Sequence, residues 1–256
     1  MLRALFILAC LTAACFAAPR ARVAWSRRGH GRIVNGEPAV ITDYPWVLAI
    51  EFLVRQECGG SIISTTWAMS AGHCFYDDVS KMSLRAGSTV RESGGVVSGI
   101  STVVYHENYD STTLDNDIVV VQPTTPFPLG PNIQIVKLPT DGYEAPAGLR
   151  VTAVGWGMLS TEVYHEPEQL QKVDLYVDEN WICGEILADV LPVTDSMMCA
   201  GDINKGVCFG DSGGPLLYGD VQVGITSWGQ ESCEYPLSAF TDIGFLRSWI
   251  RNATGV

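Results

Sequence analysis

The stretch that decides the reading is GVCFGDSGGPLLYG, Gly206 to Gly219. Glycines crowd round one acid, Asp211, and one serine, Ser212, and a short apolar run follows. A serine hydroxyl is a weak nucleophile until a base takes its proton. A reactive Ser212 therefore demands a base elsewhere in the chain, and a device that stabilises negative charge. Alone, Asp-Ser-Gly is also an ordinary turn, so the rest of the chain must decide.

Outward from this stretch the chain reads as short strands. PWVLAIEFLV (Pro45–Val54) and CGGSIIS (Cys58–Ser64) are β-rich with a break between them, and SLRAGSTV, GISTVVYH, NDIVVVQ and IQIVKLP follow. A second group begins near Arg150, with RVTAVGWG, LQKVDLYV, SMMCAG, GPLLYG, VQVGITSWG and SAFTDI. With 26 Gly and 13 Pro supplying turns, many short strands at this spacing predict an antiparallel sandwich or barrel. Pro123, Pro126, Pro128 and Pro131 read as a connector between the two groups. Ile243, Leu246, Trp249 and Ile250 recur at helical spacing, which predicts a packed C-terminal helix over Ile243–Asn252.

The N-terminus differs in kind. MLRALFILACLTAACFAAP has a positive start at Arg3, an apolar centre and small residues near position 17, the pattern of a secretory signal over residues 1–17. Residues 18–32 carry Arg20, Arg22, Arg27, Arg28 and Arg32 and no acid, and read as an exposed arm. Residues 33–256 hold 10 of the 16 Lys and Arg and all 28 Asp and Glu, a formal charge of −18. Such a surface repels nucleic acid and anionic membranes. Cys10 and Cys15 leave with the signal. The six that remain (Cys58, Cys74, Cys183, Cys199, Cys208, Cys233) suit an oxidising compartment. Six cysteines allow 15 pairings. A zinc site is the weaker rival, since no CxxC pair exists.

Three motifs then line up: SAGHC with His73, LDNDIVVV with Asp117, and GDSGGP with Ser212. With RIVNG at Arg32–Gly36 and SWG at Ser227–Gly229, the chain resembles the chymotrypsin-like (S1) serine proteases from Ile33 to about Ile250. The order His, Asp, Ser separates this family from other serine hydrolases. The resemblance implies an all-β fold of two six-stranded antiparallel Greek-key barrels, about 46–132 and 133–242, with the helix at about 243–252. It implies His73, Asp117 and Ser212 as the catalytic residues, and the N–H groups of Gly210 and Ser212 as the oxyanion hole. Losing one such donor typically costs ~3–4 kcal/mol of transition-state stabilisation. It implies cleavage after Arg32, which frees the Ile33 amine to pair with Asp211. It also implies the disulfides Cys58–Cys74, Cys183–Cys199 and Cys208–Cys233, each contributing typically ~2–4 kcal/mol. One departure is Gly72, where the family usually has Ala before the histidine; little effect is expected. His30, His106 and His165 stand outside any such motif.

The same resemblance puts the floor of the specificity pocket at Gly206, where trypsin-like members carry Asp. Val207, Phe209, Ser227, Trp228 and Gly229 would line it. The far wall, Tyr235 to Phe240, departs from the family pattern. Either Ser238 or Leu237 takes the usual glycine position. With Ser238 the pocket is deep and neutral and suits Phe, Tyr, Leu or Met. With Leu237 it is partly filled and suits Ala or Val, as in elastases. A basic preference would need Glu231 or Glu234, because a Lys or Arg head buried without a carboxylate is costly. The loop Gly87 to Gly99 offers only Glu92, so no calcium site and no other metal or cofactor is expected. Asn252-Ala253-Thr254 is a glycosylation sequon near the end. The expectation is a secreted, monomeric endopeptidase stored as a zymogen. It acts on proteins or peptides, is activated by a separate trypsin-like protease, is open to protein inhibitors, and has no nucleic-acid or membrane partner. The alternative from another class is a non-catalytic homologue that binds a partner.

Overall fold

The computed structural model describes residues 34–76, 78–161 and 165–256. The expected signal (1–17), the basic arm (18–32) and Ile33 lie outside the described residues. Strand period appears directly in burial. Met82–Ala86 (MSLRA) and Gln171–Asp178 (QKVDLYVD) alternate inward and outward, as a sheet with one wet face requires. Val119–Pro123 (VVVQP) is buried nearly throughout and ends on a proline, which cannot donate to the ladder.

The strands in order are β1 (Glu37–Pro38), β2 (Val47–Phe52), β3 (Arg55–Ile62), β4 (Ala68–Ser70), β5 (Met82–Ala86), β6 (Val96–Tyr105) and β7 (Val119–Pro123). After a strand-poor stretch come β8 (Arg150–Gly155), β9 (Gln171–Asp178), β10 (Met197–Gly201), β11 (Pro215–Tyr218), β12 (Val221–Gly229) and β13 (Ser238–Asp242). Two six-stranded antiparallel barrels result. One closes in the order β2-β3-β4-β7-β6-β5. The other closes in the order β8-β9-β10-β13-β12-β11, with β1 added at β9. The two orders are the same when each barrel's strands are counted from its own first strand. Full closure leaves neither barrel a long free edge.

Two details of the first barrel matter later. Leu53 and Val54 form the two-residue turn between β2 and β3, at φ 48° and 68°. On β3, Ile50 pairs with Cys58 and Glu51 with Gln56, so Glu57 is an extra, bulged residue. Nearby, the fully buried Glu51 accepts from Arg85 Nε at 2.5 Å, and another Arg85 nitrogen donates to the Gly94 carbonyl. That pair anchors the loop after β5 to the barrel wall.

Among the described residues two α-helices accompany the barrels, α1 (Asn180–Ile186) and α2 (Ile243–Thr254). Asp242 caps α2 by accepting from Phe245 N, and Gly255 ends it in the left-handed conformation. That stop lets α2 run past the expected Asn252. Its buried face holds Ile243, Leu246 and Ile250, with Trp249 partly covered. Among the described residues, no helix is long and apolar enough to cross a membrane.

Candidate active site

His73 sits in a short 3-10 turn, Gly72–Cys74, immediately after β4. Cys74 is joined to Cys58 on β3, so the turn is fastened to the barrel wall. These cysteines lie beside His73 but are spent on the disulfide and offer no thiolate to a metal. Asp117 lies just before β7, reached through Asn116 at φ 51°. Its side chain is fully buried.

Four hydrogen bonds hold Asp117. Oδ2 accepts from His73 Nδ1 at 2.7 Å and from Ser227 Oγ at 2.5 Å. Oδ1 accepts from His73 N at 2.9 Å, and the main-chain carbonyl accepts from Thr241 Oγ1 at 2.7 Å. The carboxylate thus fixes both the position and the tautomer of the imidazole: Nδ1 carries the hydrogen, and Nε2 keeps its lone pair. The side chain of His73 is 26% exposed, and His73 and Ser212 line the same cavity. Such an arrangement can take a proton from an alcohol and return it to a leaving amine.

Ser227 was expected on the substrate-binding wall. It does line the cavity, but its hydroxyl is turned to Asp117. The cause is a bulge. Thr226 pairs with Phe240 and Trp228 with Ala239, so Ser227 is an extra residue and escapes the alternation of its strand. The buried Thr241 on β13 is a further support that no motif marked.

The Ser212 loop is tied on several sides. Gly59 N, from the other barrel, donates to the Ser212 carbonyl at 2.7 Å, and Gly214 N donates to the Asp211 carbonyl at 2.9 Å. Gly210 has φ 93°, which only glycine adopts cheaply. Asp211 is fully buried. Its Oδ1 accepts from Gly157 N at 2.8 Å and its Oδ2 from Cys208 N at 2.9 Å. Burial pushes the carboxyl up to about 7, against the pull of those two N–H groups. Among the described residues no basic side chain forms an ion pair with it. Gly157 has to be glycine, because a Cβ there would run into the Asp211 carboxyl. Val34 is buried in a cluster with Met158, Cys208 and Cys233.

The cavity of about 540 Å³ beside Ser212 is lined by Val207, Trp228, Gly229 and Ser238, with Phe209 and Val190 at its edge. Ser238 pairs with Gly229 across β12 and β13, and Leu237 is buried away from the cavity. Gly206, expected on the floor, is not among the lining residues; the Cys233 carbonyl occupies the direction its side chain would take, 2.7 Å from an added Cβ. Glu231 also lines the cavity but is exposed. Cys208 joins Cys233 across the cavity wall, and Cys183 joins Cys199 between α1 and β10. In the loop after β5, Glu92 is bonded to Arg91 and to Gln56 N. A second cleft, about 570 Å³, lies beside α2 and holds none of His73, Asp117 and Ser212.

Comparison with known proteins fits this geometry. The family model described as Trypsin matches residues 33–250. A trypsin of Phaedon cochleariae is 33% identical over 232 residues, which covers 88% of this chain and 89% of that one. Trypsin Blo t 3 of Blomia tropicalis is 36% identical over 232 residues, covering 86% and 85%. Among solved structures, neuropsin, a serine protease expressed in the limbic system of mouse brain, matches with a TM-score of 0.79 at 25% identity, over 85% of this chain and 98% of its own. A scabies mite inactivated protease paralogue matches with a TM-score of 0.81 at 23% identity, over 87% and 97%, and speaks to the fold alone. Since the family match runs from the first described strand into α2, the chain belongs to the trypsin family and is a serine endopeptidase.

Proposed function

We propose that the chain is a secreted digestive-type endopeptidase, made as a zymogen, that cleaves after large apolar residues. Ser212 attacks the peptide carbonyl. His73 takes the hydroxyl proton and passes it to the leaving amine, and Asp117 holds the imidazole and stabilises its cation. The N–H groups of Gly210 and Ser212 receive the oxyanion. Water, with His73 again as base, then releases the acyl group from Ser212.

The observation that carries the specificity is the pairing of Ser238 with Gly229, with Leu237 buried elsewhere. This favours the deep neutral pocket over the shallow one. The acid on the cavity lining, Glu231, is exposed to solvent, where it pairs weakly with a cation. A Lys or Arg head at the bottom would meet no carboxylate, a costly burial. The relatives named trypsin share the scaffold; the absence of an acid at Gly206 and Val207 is what argues for a different preference here.

The activation reading has its own support. Val34, next to Ile33, is buried against Cys208, whose N–H binds Asp211. Cleavage after Arg32 would create one new ammonium, at Ile33, and Asp211 is a buried carboxyl that lacks a cation among the described residues. An enzyme that refuses Arg cannot cut its own Arg32 bond efficiently, so a separate trypsin-like protease activates it. The test is a peptide library varied at the residue before the scissile bond, presented to protein cleaved after Arg32. Highest kcat/KM at Phe, Tyr, Leu or Met is expected, and fastest turnover at Lys or Arg would overturn the assignment.

A further inference from the structure

We propose that Gln56 is a positioning residue of the oxyanion hole, held in place by a polar chain that runs from the surface through Arg91 and Glu92. The proposal rests on the reading that Gly210 and Ser212 supply the oxyanion donors.

The Gly210 N–H is only as well aimed as the peptides on either side of it. In the first, the Phe209 carbonyl accepts from Met158 N at 2.8 Å. A planar trans peptide sends its N–H the opposite way, so the Gly210 hydrogen points away from Met158. In the second, the Gly210 carbonyl accepts from Gln56 Nε2 at 2.8 Å. Glycine at φ 93° is soft about both flanking bonds. Two fixed carbonyls therefore do what a side chain cannot do here.

Gln56 reaches this point from the other barrel, 154 residues away in sequence. It is buried, beside the bulged Glu57 on β3. Its own N–H donates to Glu92 Oε1 at 3.0 Å. The same oxygen accepts from Arg91 at 3.1 Å, and that Arg91 nitrogen also donates to Glu166 Oε2 at 2.6 Å. Arg91 N donates to the Glu168 carbonyl at 2.7 Å. The loop after β5 thus clamps the segment around Glu166 on one side and Gln56 on the other.

One atom speaks against a purely structural role. Gln56 Oε1 is buried with no hydrogen-bond partner among the described residues. A buried polar atom left unpaired is destabilising; methionine removes that cost but takes the donor away from the Gly210 carbonyl, so the two effects on the fold oppose each other. Gln56→Met separates the two roles. On protein cleaved after Arg32, it should lower kcat about tenfold, a part of what loss of a whole donor costs, with KM nearly unchanged. A peptide aldehyde, whose adduct with Ser212 carries the oxyanion, should weaken by a similar factor, and Tm should change little. Glu92→Gln, at the half-buried outer part of the chain, should lower kcat about threefold and add little when combined with Gln56→Met.

Unchanged kcat in Gln56→Met overturns the proposal. So does a fall in kcat matched by a fall in Tm, which would make Gln56 a packing residue. Fluorophosphonate labelling of Ser212 in the unmutated, cleaved protein is the control. If that protein is unlabelled, the catalytic reading fails and the proposal with it; if it is labelled and turns over, the Gln56 result stands by itself.

Discussion

Ser227 and His73 share one oxygen: Oδ2 of Asp117 accepts from Ser227 Oγ at 2.5 Å and from His73 Nδ1 at 2.7 Å. The carboxylate is therefore held from both barrels. Ser227→Ala should lower kcat about three- to tenfold while KM barely moves, because only a part of the ~1.5–3 kcal/mol that a hydrogen bond to a charged group is worth is lost between the ground state and the transition state. Steady-state kinetics on a peptide amide checks it. A rise in KM alone would return Ser227 to the pocket wall. Asp117→Asn should cost about 10⁴-fold in kcat, the general figure for this triad, since an amide that donates to Nδ1 imposes the wrong tautomer.

Gly157→Ala tests the close approach at Asp211. The added methyl collides with the carboxyl group. The Asp211 loop must then move, and with it Gly210 and Ser212. Turnover and fluorophosphonate labelling of Ser212 should both fall steeply, and Tm should drop. Wild-type labelling in this variant would mean that the loop has room that the packing denies.

Asp211 also makes the uncleaved chain sensitive to pH. Burial, the largest influence, raises its carboxyl to about 7, while the Cys208 and Gly157 N–H groups pull the other way. In the unfolded chain it loses its proton near pH 4. Between those values the native state binds more protons than the unfolded one. Stability from this group therefore falls as pH rises through that window and levels off above it. Thermal melts of uncleaved protein from pH 4.5 to 7.5 should show the trend, and Asp211→Asn should flatten it. Parallel curves for the two proteins would contradict it. Cleavage after Arg32 should also reduce the slope, by supplying a cation that keeps the carboxylate charged.

Val54→Gly should stabilise the enzyme. A β-branched residue at φ 68° pays for the handedness of this hairpin turn by about 1 kcal/mol, which glycine does not. Val54 is largely exposed, so little packing is lost. Denaturant unfolding should show the gain with kcat unchanged.

Much of this was legible in the residues. The turn-punctuated strands, the helical spacing of Ile243, Leu246 and Ile250, and the order of His73, Asp117 and Ser212 each follow from local pattern. What escaped depends on register. Whether Ser238 or Leu237 faces the cavity is a one-residue question, and a single step turns a side chain to the other face of a sheet. The bulge at Ser227 and the bulge at Glu57 are invisible in composition, yet they aim Ser227 at Asp117 and accompany the turn of Gln56 toward Gly210. The Leu53–Val54 turn carries no Asn or Gly to announce it. The short α1 is held to β10 by its disulfide at Cys183 and by Asn180 Nδ2, which donates to the Met197 carbonyl, not by a long apolar stripe.

Each of the three disulfides closes within one barrel: Cys58–Cys74 in the first, Cys183–Cys199 and Cys208–Cys233 in the second. His73 and Asp117 belong to the first and Ser212 to the second, so among the described residues the main chain is the only covalent link between His73 and Ser212. A single nick between β7 and β8 would turn a unimolecular catalyst into a two-component one. Its rate would then fall on dilution, following the dissociation of the halves, and would return when separately purified halves are mixed.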